Sequence, residues 1–448
     1  MSAEKQLSVS DVIDNGPISP LQVTAILLCS LVAFLDGVDS QSIAVGVPMI
    51  VGEFNLPRTV IGIILSSALL GAMVGAMTFG LLGDQFGRKR MLLIATTMFG
   101  VFTLATAYAT SYTTLLAIRF GAGLGLGGAT PLFLALASEY APKRRRAMVA
   151  SLIWAAFPVG AMTGGFISSY ILHVADWRTM FTLGGVAPLC VALALLVWLP
   201  ESIRFLVAGN RDPIGAARIM ARIAPSASRG KVIQADEADE VKIVGTPFVQ
   251  LFAHGRAVTT LLLWVLFVAA FGTLAIIAYW TPALLRESGI SASQTALVLG
   301  FQSIGSILGM ASAGRLMERF GAKIVIGTSL FLGAITTGMI GVVATSVVMV
   351  SAVEAVSCFF VGMGASGSIA LAALLYPTAL RSSGIGWAMG MGRGGQVAAT
   401  LLVGLLVGLG WESAEVFLAI GLAPLVGAAG IFLMRQKASR GRTAAQLA

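Results

Sequence analysis

The sequence predicts an all-α membrane protein of twelve transmembrane helices, arranged as two six-helix bundles related by pseudo-symmetry. Three observations predict it. Only 11% of the 448 residues are charged and 57% are hydrophobic, whereas a soluble domain carries about a quarter charged residues. Apolar runs of the roughly 20 residues that a bilayer requires recur about twelve times along the chain. The two halves of the chain also repeat each other on either side of one long polar loop.

In chain order the apolar runs fall at 21–47, 58–82, 91–109, 114–137, 147–171, 178–199, 257–283, 291–313, 323–344, 347–375, 384–409 and 413–434. Their unbroken length excludes the alternating ten-residue strands of an outer-membrane barrel. The segment 1–20 is polar and has no cleavage-site pattern, and the first run is too long for a signal peptide. It is therefore read as an uncleaved first helix. The loop 200–256 contains RDPIGAARIMARIAPSASRGKVIQADEADE and is expected to form short amphipathic helices on the membrane surface. It separates an N-terminal bundle, 21–199, from a C-terminal bundle, 257–434, which the tail 435–448 follows.

The formal charge of +9 admits a nucleic-acid partner, but its distribution argues against one. All but five of the 29 Lys and Arg residues lie on one set of alternate loops. Arg58, Arg178 and Arg286 lie on the opposite loops, and Arg119 and Arg393 lie inside spans. This asymmetry places both termini in the cytoplasm of a bacterial-type inner membrane. Cys29, Cys190 and Cys358 fall in apolar runs as small fillers, His173 and His254 stand at helix edges, and no metal-ligand spacing occurs.

The repeat is explicit. GLLGDQFGRK at 80–89 aligns with GRLMERFGAK at 314–323, matching Gly80 with Gly314, Asp84 with Glu318, Phe86 with Phe320, Gly87 with Gly321 and Lys89 with Lys323. PKRRR from Pro142 is echoed by PTALR from Pro377. Duplicated halves of this kind mark transporters, with the substrate site between the halves near the bilayer midplane.

These stretches resemble the major facilitator superfamily across essentially the whole chain. GLLGDQFGRKR (80–90), RFGAGLGLGG (119–128), FPVGAMTGG (157–165), PES (200–202) and the degenerate repeat at 314–323 carry the resemblance. Within that superfamily, DGVD (36–39), SEYAPKRRR (138–146) and YPTALRSSGIGWAMGMGRGGQ (376–396) resemble the aromatic acid:proton symporters. The resemblance implies uptake of benzoates, hydroxybenzoates or phenylpropanoids, driven by the proton gradient and without a cofactor, by a monomer. One departure is Ala322, which stands where the first repeat has Arg88 and implies a weaker second latch.

Several residues carry chemistry in this setting. Asp36 and Asp39, three apart, share a helix face roughly 22–27 Å into the first span. Carboxylates are costly in hydrocarbon, and neutralisation by a proton makes them candidates for carrying or gating it. The alternative is one Asp capping a break at Gly37 while the other pairs with an Arg. Arg119 either holds these aspartates charged until substrate or proton competes, or forms a permanent ion pair. Arg393 offers a planar fork for a substrate carboxylate, or else packs against Glu354. Glu354 itself is a proton relay or an ion-pair partner. Gln302 and Gln396 are candidate donors to ring substituents, or polar glue between helices. Trp154, Phe157, Phe271 and Trp387 are candidates to stack on a ring, while Tyr279 and Trp280 fit an interfacial belt better.

Asp84, Gly87, Arg88 and Lys89 read as a latch on the basic side of the membrane, with Glu318 and Arg381 as its counterparts in the second half. Glu139, grouped with the proton-coupling residues, is expected to join that charge network together with Arg144, Arg145 and Arg146. Positive-inside topology alone is the competing account. The glycine runs at 121–128 and 160–165 are helix interfaces rather than nucleotide loops. Rival functions are a proton-driven exporter of lipophilic compounds, which Arg393 argues against, and a receptor or combined transporter and chemoreceptor for aromatic acids. No nucleophile–base pair or phosphate loop points to an enzyme.

Overall fold

Short polar caps start the long helices. Ser19 accepts a hydrogen bond from the Gln22 amide, the Gln22 side chain answers back, and Pro20 follows at the first helical position. Ser291 and Gln294 repeat this capping box, and Ser111, Asp176 and Ser346 cap singly. The computed structural model describes residues 7–8, 13–14, 16–207, 212–223, 233–234, 247–253, 255–344, 346–376 and 378–434.

The first half holds α1 (Pro20–Glu53), α2 (Val60–Phe86), α3 (Arg88–Thr106), α4 (Tyr112–Tyr140), α5 (Arg146–Val174) and α6 (Trp177–Trp198). The second holds α7 (Ala257–Glu287), α8 (Ala292–Phe320), α9 (Ala322–Ile340), α10 (Val347–Leu375), α11 (Thr378–Gly408) and α12 (Ser413–Leu433). Among the described residues, eleven of these are apolar and long enough to cross a membrane. The twelfth span is α3, whose charged start at Arg88, Lys89 and Arg90 lowers its hydropathy. The first helix runs past its expected end at 47 to Glu53.

Packing repeats between the halves. The pairs α1–α5, α2–α4 and α3–α6 have counterparts in α7–α11, α8–α10 and α9–α12. Small residues set these distances. A Cβ on Gly127 would stand 1.9 Å from the Ala72 carbonyl oxygen of α2, and one on Gly37 would stand 2.0 Å from the Phe157 carbonyl oxygen of α5. Both pairs of backbones are in direct contact, as small-residue membrane interfaces allow.

The two halves meet along α2–α11, α5–α8 and α1–α7. Many of the specific contacts lie at the face opposite the basic loops. There a Cβ on Gly62 would meet the Trp280 ring and the Thr400 carbonyl oxygen, and Arg58 forms an ion pair with Glu287. Ser293 hydrogen-bonds His173 at 2.6 Å at the same face. Toward the basic face, Gly386, Gly390 and Gly394 of α11 look onto open space.

The central loop forms short helices at Ile203–Val207, Pro213–Ile223 and Pro247–Phe252. The second is amphipathic and buries Ala216, Met220 and Ile223. A two-residue parallel pairing of Leu7–Ser8 with Ile233–Gln234 was not foreseen. His254 lies outside the described residues.

Candidate functional site

The pair at 36 and 39 sits on an unbroken helix. α1 continues through Gly37, so the glycine marks close packing on α5 rather than a break for an aspartate to cap. Asp39 is 2% exposed and its Oδ2 accepts from Arg119 Nη2 at 2.9 Å, with Arg119 itself 1% exposed. Thr103 of α3 donates to Asp39 Oδ1 at 3.1 Å. The Arg119 guanidinium also lies 5.8 Å from the centre of the Phe181 ring. Its Nε has no protein partner among the described residues. The ion pair is thus fully desolvated and held by three helices of one half.

Asp36 is half-buried and opens onto a cavity that it shares with Asp39, Arg119, Ser40, Tyr279 and Arg393. Arg393 and Asp39 are its charged neighbours there. The free volume, about 40 Å³, admits a few waters. Two carboxylates and one guanidinium of the first half and one guanidinium, Arg393, of the second therefore line one small chamber, together with Leu65, Leu69 and Ala72 of the first half and Tyr279 of the second. When all four groups are ionised their charges cancel.

Other expectations land elsewhere. Tyr279 is no interfacial-belt residue: it lines the cavity opposite Ser40 of the other half. Trp280 is fully buried and donates from Nε1 to the Thr400 carbonyl at 3.2 Å. An indole whose N–H finds a partner indoors gains more from the core than from the headgroups. Glu354 does not pair with Arg393; it is buried and accepts from Thr281 at 2.6 Å. Gln302, Gln396, Phe157 and Trp387 lie outside the cavity lining. Gln302 is buried in α8, Trp387 is half-exposed and stacked on Trp264 at 6.3 Å, and Phe271 stacks on Phe267 at 5.5 Å.

The basic-face cluster assembles around Arg88, which forms ion pairs with Asp84 and Glu139. Glu139 also accepts from Ser202, so it belongs to this cluster and not to the cavity. Gly87 adopts φ +103°, which a side chain would strain, and Glu201 caps the start of α3 by accepting from the Lys89 amide at 2.8 Å. The second half repeats the turn at Gly321, φ +85°. Lys323 donates to the Met434 carbonyl as Lys89 does to Leu196. Glu318 is exposed, while the Arg381 side chain lies outside the described residues. Arg144 and Arg145 are exposed, and Arg146 donates to the Ala141 carbonyl at 3.2 Å.

The Major Facilitator Superfamily family model matches residues 29–288 and again 262–447. The chain belongs to this superfamily. It is accordingly a multi-pass membrane transporter and not an enzyme. Among relatives of known name, the 4-hydroxybenzoate transporter PcaK of Pseudomonas aeruginosa is 33% identical over 97% of both chains. The 3-(3-hydroxy-phenyl)propionate transporter of Escherichia coli is 32% identical over 92% of this chain and 94% of its own. A crystal structure of a D-xylose-proton symporter shares the superfamily fold at TM-score 0.71 and 18% identity, covering 92% of this chain and 97% of that one.

Two lining residues and one buried partner of Asp39 were not legible in these roles. Ser40 follows Asp39 directly and carried a visible signal as a polar residue in an apolar run. Tyr279 was seen but assigned to the membrane interface. Thr103 of α3, 64 residues from Asp39 in sequence, offered no signal, because a Thr in a span more often bonds its own backbone.

Proposed function

We propose that this transporter imports an aromatic carboxylate together with protons by alternating access, through a site between the halves 21–199 and 257–434. The observation that carries this reading is the shared chamber of Asp36, Asp39, Arg119 and Arg393. The names of the relatives supply the substrate class. Arg393 receives the substrate carboxylate, since a guanidinium fork matches it bidentately. Asp36 then loses its cationic neighbour. A buried carboxylate without a counter-charge is expensive, so Asp36 takes up a proton and becomes a neutral acid. The chamber holding substrate and proton is again uncharged overall, which lowers the cost of carrying it across the membrane. Asp39 stays paired with Arg119 and holds α1 in place. Tyr279 lines the site as a ring neighbour.

The packing of the halves at the face opposite the basic loops, with glycines of α11 facing open space on the other side, fits a state closed to that face. The positive-inside rule favours a cytoplasmic position for the termini and the Arg88 cluster, in a bacterial inner membrane. Release would then be cytoplasmic, with no cofactor and a monomer sufficing.

The test is uptake into proteoliposomes under an imposed pH gradient, comparing benzoate, hydroxybenzoates, hydroxycinnamates, a dicarboxylate and a lipophilic cation. Accumulation of aromatic monocarboxylates, acidifying the lumen, is expected. Transport of the cation alone, or accumulation indifferent to the gradient, would remove the proposal.

A further inference from the structure

A second carboxylate is buried outside the chamber. Glu354 of α10 has no exposed surface, and its Oε1 accepts from the Thr281 hydroxyl of α7 at 2.6 Å. Its Oε2 has no partner among the described residues. The groups facing it are neutral. Thr281 comes from α7. Cys358 lies one turn along α10, and Gln302 of α8 is buried with its Oε1 unpaired among the described residues. Thr337 of α9 is occupied with Ser357 at 2.7 Å. No ion pair involves Glu354 among the described residues.

An ionised carboxylate in such a place is strongly disfavoured without a counter-charge. With one donor and no cation, the surroundings of Glu354 fit a neutral carboxylic acid. Its position says when that proton must arrive. Glu354 lies roughly 10 Å into α10 from the face opposite the basic loops. The neighbour of its partner Thr281 is Trp280, whose ring packs over Gly62 of the other half and seals that face. Parting the halves there withdraws Gly62 from Trp280 and frees the turn of α7 that carries Thr281.

We propose that Glu354 is a proton-binding site reached from the face opposite the basic loops, and that this face closes only when Glu354 is neutral. The step is the binding of one proton from water to the carboxylate, forming a carboxylic acid that donates to no charged group. It returns to water on the same side when the halves part. Glu354 therefore makes closure depend on pH at that face, separately from the proton taken up at Asp36. This inference rests on the alternating-access part of the proposed function and not on its substrate.

The test reads closure without substrate. Spin labels go on Tyr108→Cys and Val342→Cys, 72% and 69% exposed on loops of opposite halves at that face. Exposed Cys190 is replaced by Ser, while Cys29 and Cys358 are buried. Distances are measured by double electron–electron resonance across pH in an Asp36→Asn background, which removes titration of the chamber. The ratio of closed to open molecules is expected to fall by up to about tenfold per pH unit above the open-state midpoint. Glu354→Gln, which keeps an acceptor for Thr281, is expected to stay closed at every pH. Glu354→Asp keeps the response with a displaced midpoint. An unchanged response in Glu354→Gln, or a parent indifferent to pH, overturns the proposal. If Glu354→Gln does not fold, an undisplaced midpoint in Glu354→Asp does so instead. Loss of gradient-driven uptake alongside intact pH-dependent closure would count against the symport reading alone.

Discussion

Asp39→Asn removes one member of the buried ion pair while keeping the shape of the side chain. The structure fixes the size of the effect. Both partners are at most 2% exposed, the contact is 2.9 Å, and Arg119 Nε already lacks a partner among the described residues. Breaking a buried pair from one side costs about 3–5 kcal/mol. At about 1.4 kcal/mol per factor of ten, the folded-to-unfolded ratio falls between a hundredfold and several thousandfold. The double variant Asp39→Asn, Arg119→Gln removes both charges and is expected to recover most of that loss, since replacing both members of a buried pair is often nearly neutral. The assay is thermal unfolding in detergent, followed by intrinsic tryptophan fluorescence, with the four members of the cycle side by side. A single variant that melts with the wild type would refute the reasoning. So would a double variant no more stable than Asp39→Asn, because the cost would then not be the stranded guanidinium.

Three further outcomes follow from the same geometry. Asp36→Asn is expected to abolish uphill accumulation while substrate exchange at equal pH persists, since the half-buried Asp36 has no ion pair to lose; radiolabelled counterflow against gradient-driven uptake separates the two. Arg393→Lys keeps the charge but loses the fork, about 1.5–3 kcal/mol of charged hydrogen bonding, so the apparent KM should rise roughly ten- to hundredfold in uptake kinetics. Arg58→Ala breaks the exposed cross-half pair with Glu287 and should move the closed population by less than about fivefold, an effect that vanishes in high salt, read by the distance measurement above.

Much of the fold was legible because the bilayer imposes it. A chain in hydrocarbon must satisfy its backbone internally, so runs of apolar residues and their capping Ser and Asp residues mark the helices almost unaided. The repeat at 80–89 and 314–323 exposed the duplication, and both glycines of that repeat have the positive φ that the turn requires. The charged members of the site were legible for a related reason: Asp36, Asp39, Arg119, Arg393 and Glu354 are conspicuous because membrane spans rarely carry such groups. Partners were legible only in part. Glu139 joins Arg88, as its place among the basic loops implied, but Glu354 faces Thr281 and not Arg393.

The sequence alone determined that this protein spans a membrane about twelve times, that it is built from two similar halves, and which ionisable residues the membrane interior holds. The tertiary structure decided which of those residues share a chamber, which are locked in pairs, and which stand alone. The reason is physical. Hydrophobicity and helix periodicity act within one segment, over a few turns. The pairing of charges depends on which helices touch and at what depth, and contacts such as Gly37 on Phe157 and Gly127 on Ala72 set that between residues far apart in the chain.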